Sequence, residues 1–133
     1  DIADAVADLF AQVTWGSAGA ESSNAIEVPA TVQDLQGNTL AVATTEVEVM
    51  VSDSATDAEP SATATLTAAT SPVGTLLAGT GTATAIFRTS SGGLFTVKVT
   101  EAAAADRFLW VKTGPNSQAW VRANASPKSM TFA

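Results

Sequence analysis

The sequence predicts an all-β fold, an antiparallel β-sandwich preceded by a short N-terminal α-helix. Three observations carry this. Short runs of alternating apolar and polar residues recur along the chain, separated by clusters of Gly, Pro, Ser and Asn. Thr, Ser, Val and Ala dominate, and Thr and Val in particular suit a pleated, half-buried surface. The length of 133 residues fits one domain with a modest core. Much of the 46% hydrophobic content is Ala, so the core is thin.

Residues 1–13 carry the one helical pattern. Ile2, Val6, Leu9, Phe10 and Val13 form a single apolar stripe, with Asp1, Asp4 and Asp8 on another face. Acids in the first turns also complement the helix dipole. Residues 14–24 are small and polar and read as a linker, with Trp15 standing out as an end plug or contact residue. Residues 1–24 are therefore expected to form a helix-and-linker tether, and residues 25–133 the sandwich.

Residues 25–34 alternate imperfectly around Pro29, which predicts an edge strand or a bulged one. Leu35, Gln36, Gly37 and Asn38 supply a turn. Residues 45–53 are the clearest early strand: Val47, Val49 and Val51 face one way, and Glu46, Glu48 and Met50 the other. An acidic loop follows over residues 52–62, then a weak strand over 62–67, a turn at Ser71, Pro72, Val73 and Gly74, and a short strand over 75–78.

Residues 82–113 are expected to build most of the core. Ala83, Ala85 and Phe87 share one face of a strand. Ser90, Ser91, Gly92 and Gly93 supply a tight turn, and Phe95, Val97 and Val99 line the return strand, so this is the strongest hairpin signal in the chain. Residues 101–106 form a short alanine run that suits one helical turn crossing between sheets. Residues 107–113 are apolar on both faces, which marks a central strand with one face open to an interface. A turn at Gly114, Pro115, Asn116 and Ser117, a strand over 118–123 and a terminal strand over 129–133 complete the chain. Eight or nine such strands indicate an immunoglobulin-like arrangement, with barrel closure as the alternative.

Composition excludes much chemistry. There is no Cys, no His and no Tyr, so disulfides, thiol nucleophiles, Ser–His–Asp triads and His-ligated zinc are all ruled out. Asp53, Asp57 and Glu59 lack the spacing, glycine and terminal Glu of an EF-hand loop. Gly79, Thr80 and Gly81 lack the lysine of a phosphate-binding loop. Glu46 and Glu48 lie about 6–7 Å apart on one strand face, a separation open to a glycosidase pair. Nothing around them suggests a sugar cleft, and no catalytic, metal or cofactor residue is assigned. Net charge is −7 and is unevenly spread. Residues 1–87 hold eleven acids and no cation, which gives −11. Residues 88–133 hold all six cations against Glu101 and Asp106, which gives +4. This predicts either an unevenly charged solvated surface or a polarised one that docks on an acidic neighbour, including a copy of itself. So acidic a chain is a poor nucleic-acid binder, and no apolar run is long enough to span a membrane.

Several segments together resemble a known family. They are the N-terminal helix leading into VTW, the stretch NAIEVPATVQDLQGN, a strand ending in VSD, a threonine-rich region, IFRTSSGGLFTVKVTE, RFLWV and the terminal SMTFA. The pattern resembles the immunoglobulin-like domains of tailed-bacteriophage virion proteins, particularly head decoration (cement) and head-fibre proteins. The resemblance covers nearly the whole chain through loose hydrophobic patterns rather than a catalytic signature. It implies a non-enzymatic domain on the capsid exterior, often trimeric, assembled in the host cytoplasm and bound to the major capsid protein or to copies of itself. Leu9, Phe10 and Trp15, with Arg107 and Lys112 as basic partners, are the expected contact residues. The rival expectation is a carbohydrate- or host-surface-binding module or adhesin, which requires Trp110 and Trp120 to face outward.

Overall fold

The computed structural model describes residues 12–34, 36–41, 45–112 and 128–133. The alternating runs become nine strands: β1 (Gln12–Trp15), β2 (Ala25–Gln33), β3 (Glu46–Ser52), β4 (Thr65–Ala68), β5 (Thr75–Ala78), β6 (Thr84–Arg88), β7 (Leu94–Thr100), β8 (Ala105–Val111) and β9 (Lys128–Phe132). They form two antiparallel sheets, ordered β1-β2-β7-β4 and β5-β6-β3-β8-β9. The inward residues of both sheets meet in one apolar core, built on Val28, Val49, Leu66, Phe87, Phe95, Val97, Leu109 and Phe132. Side chains alternate strictly along β7, where Phe95, Val97 and Val99 are buried and Thr96, Lys98 and Thr100 are only partly covered.

No helix occurs among the described residues. The expected helix falls mostly on residues 1–11, which lie outside them, but its last two residues are not helical. Gln12 and Val13 belong to β1, which pairs with β2 from Gln12↔Gln33 to Trp15↔Ala30. Val13, counted in the helical stripe, is instead the first inward residue of a period-2 run that continues through Trp15. Residues 16–24 are likewise no free linker. Gly16 and Gly19 donate backbone hydrogen bonds to Pro29 and Glu27, each at 2.8 Å. A two-residue turn then closes onto β2 through reciprocal bonds between Ser22 and Ala25 at 2.9 and 3.0 Å. Both central residues are left-handed (Ser23 φ 53°, Asn24 φ 64°), the conformation whose twist matches the flanking strands.

Pro29 does not mark an edge strand, because β2 has neighbours on both sides. The proline is accommodated where β1 ends. Its carbonyl accepts from Gly16, so its missing donor points past Trp15, where the ladder has already stopped. Gly16 is required there, since a Cβ would lie 2.8 Å from the Pro29 ring.

The largest correction concerns residues 84–100. β6 and β7 are not paired as a hairpin: β6 lies in the five-stranded sheet and β7 in the four-stranded one. The turn itself forms, with Ser90 donating to Leu94 at 2.8 Å and Gly93 to Ser90 at 2.9 Å, but it carries the chain across the sandwich. Phe87 and Phe95 then stack from opposite sheets with centroids 5.6 Å apart. Alternation is identical for strands that pair side by side and strands that face each other, so the pattern alone could not separate the two.

The link from β7 to β8 does cross between sheets as expected. It does so through bends at residues 102–104 rather than a helical turn. β8 is central, between β3 and β9, and is apolar on both faces: Leu109 and Val111 enter the core while Trp110 is buried on the other side. Met50, on the face of β3 opposite Val47, Val49 and Val51, is fully buried there beside Trp110, its register partner. β9 tucks Phe132 into the core. The turn at residues 114–117 and the strand over 118–123 lie outside the described residues.

Candidate functional site

The densest polar arrangement sits where β7 hands over to β8. Glu101, just past β7, is 3% exposed, and Arg107, on β8, points its guanidinium at it. Arg107 Nε donates to Glu101 Oε2 at 2.9 Å, and Nη2 lies 2.8 Å from the same oxygen. Asp53, just past β3, lies 3.2 Å from the same Nε. The Thr63 hydroxyl donates to Glu101 Oε2 and accepts from Arg107 Nη2, while the Ala103 amide donates to Glu101 Oε1 at 3.0 Å. The Thr63 hydroxyl is the first cause holding the Glu101 carboxyl below the ordinary glutamate range. Burial works against it, and the Ala103 amide and Arg107 add to it. Both oxygens of the buried Glu101 carboxylate are answered within the chain, so the node fastens the crossover to the 53–63 loop.

Three other cations are also spent across strands. Lys112 lies 3.4 Å from Glu48, Arg88 3.4 Å from Glu46 and Lys98 3.9 Å from Glu27. The division of charge along the sequence is thereby largely undone in space: cations of the last third sit on acids of the first half. Glu46 and Glu48 serve as ion-pair partners, each with its own cation. Glu27 also accepts the Thr70 amide at 2.8 Å, which is the first cause lowering its carboxyl below the ordinary range. Beside it lies a shallow hollow of about 330 Å³, lined by Gly19, Ser22, Ser23, Glu27, Thr70 and Lys98.

The expected contact residues are dispersed. Leu9 and Phe10 fall outside the described residues. Trp15 sits on β1, half-buried against the core, edge-on to Phe95 with centroids 5.9 Å apart. Its indole Nε1 is buried without a hydrogen-bond partner among the described residues. Arg107 and Lys112 lie on and just after β8, and Arg107 is only 13% exposed. Trp110 is buried and donates from Nε1 to Ser52 Oγ at 2.7 Å, so it contributes no outward stacking surface. Trp120 lies outside the described residues. Asp53 is drawn to Arg107, and no group of three or more acids converges as a cation site among the described residues.

The Glu101–Thr63–Asp53 surroundings of Arg107 were not foreseen from the sequence. One signal existed: Glu101 and Arg107 are an isolated acid and base flanking an alanine run. Thr63, a single threonine in a threonine-rich segment, offered none. Compared with known proteins, the chain matches no family profile, no curated protein and no solved structure.

Proposed function

We propose that the chain is a non-catalytic, immunoglobulin-like interaction domain of a virion exterior, a capsid decoration or head-fibre module that binds the major capsid protein. The observation that carries the domain reading is strand order. The sheet β1-β2-β7-β4 follows the A-B-E-D order of immunoglobulin domains, and β9-β8-β3 follows G-F-C. β6 and β5 extend the second sheet on the side where variable-type domains add two strands. The departure is that β4 precedes β5 and β6 in the chain, and the inter-sheet disulfide and tyrosine corner of antibody domains have no counterpart here. The non-catalytic reading rests on the way charged side chains are spent on one another across strands rather than gathered at a cleft. The virion assignment rests on the family resemblance of the sequence.

Co-sedimentation with intact capsids tests the proposal. The whole chain is expected to pellet with capsids in a saturable, salt-sensitive manner. A chain lacking residues 1–11, which removes Leu9 and Phe10 but spares β1, is expected to bind more weakly. Truncating through residue 15 would confound this test, because it deletes a strand and Trp15 from the core edge. Absence of saturable binding by the whole chain sinks the capsid assignment. Undiminished binding without residues 1–11 removes only the tether.

A further inference from the structure

We draw no further inference here: the strongest candidate, the shallow hollow on the four-stranded sheet floored by Glu27 and Lys98, has its carboxylate already answered by the Thr70 amide and its ammonium by Glu27, and nothing in the structure shows what ligand would fill it.

Discussion

Two of the turns that carry the chain between the sheets, β6–β7 and β7–β8, are held by opposite means. At the β6–β7 crossing the strands are locked by apolar contact: Phe87 stacks on Phe95, Trp15 closes edge-on against Phe95, and all three belong to or abut the core. Glycine makes the turn possible, since Gly93 has φ 77° and a Cβ there would lie 2.3 Å from the Leu40 carbonyl oxygen. At the β7–β8 crossing the strands are locked by charge: Glu101 is buried, Arg107, Thr63 and Ala103 answer it, and Asp53 pairs with Arg107. The first lock is indifferent to pH and salt and depends on volume. The second depends on protonation and on every partner being present. The same topological task thus tolerates either solution.

The apolar crossing is expected to be the costlier to break. Phe95→Ala removes the ring that touches both Phe87 and Trp15 in a fully buried site, and should cost about 4 kcal/mol. Urea denaturation should show this loss equally at neutral and mildly acid pH. A loss that varies steeply with pH would mean the two crossings are coupled rather than independent.

What could be read from the sequence follows the same division. Alternation at Val47, Val49 and Val51, or at Phe95, Val97 and Val99, announced strands and their inward faces correctly, because burial on one face imposes a period of two. It could not tell which sheet a strand joins, so two facing strands were read as a hairpin across Ser90 to Gly93. The helical reading of residues 1–13 failed at its end, because Val13 satisfies both periods and only pairing with β2 decides between them. The polar crossing was less legible still. Glu101 draws its partners from positions 63, 103 and 107, and a contact spanning 38 residues leaves no local trace. Of the residues expected at a partner surface, Arg107 was visible as a cation, but its engagement with a buried acid was not.

The polar crossing is expected to give the next largest effect. Arg107→Ala leaves Glu101 buried with its main cation gone, a change worth about 3 kcal/mol at neutral pH. Its pH dependence sets it apart from Phe95→Ala. The carboxyl of Glu101 lies lower in the folded chain than in the unfolded one. Its contribution is therefore complete above the ordinary glutamate range and is lost as pH falls through that range towards the depressed folded value. The gap between wild type and Arg107→Ala should narrow on acidification, and Glu101→Gln should show a flatter profile of melting temperature against pH than the wild type. A constant gap would show that Arg107 contributes through its packed alkyl stem rather than its charge.

Trp15 offers the smallest effect and the sharpest contrast between the crossings. It leans on Phe95, yet its indole N–H is buried without an acceptor among the described residues, whereas the N–H of Trp110 is answered by Ser52. An unanswered buried donor costs about 1–3 kcal/mol. Trp15→Phe deletes that donor while keeping an aromatic ring over Phe95, so the loss of contact area is offset by relief of the desolvation penalty. The net change should stay within about 1 kcal/mol. Trp110→Phe removes a satisfied donor and leaves behind the Ser52 hydroxyl, which still donates to the Ser54 carbonyl at 2.7 Å. It brings no such relief and should cost more. Parallel denaturation curves of the two variants decide the point. If Trp15→Phe proves the more damaging, its N–H has an acceptor in solution, and the edge of β1 is organised by a polar contact as the Arg107 crossing is.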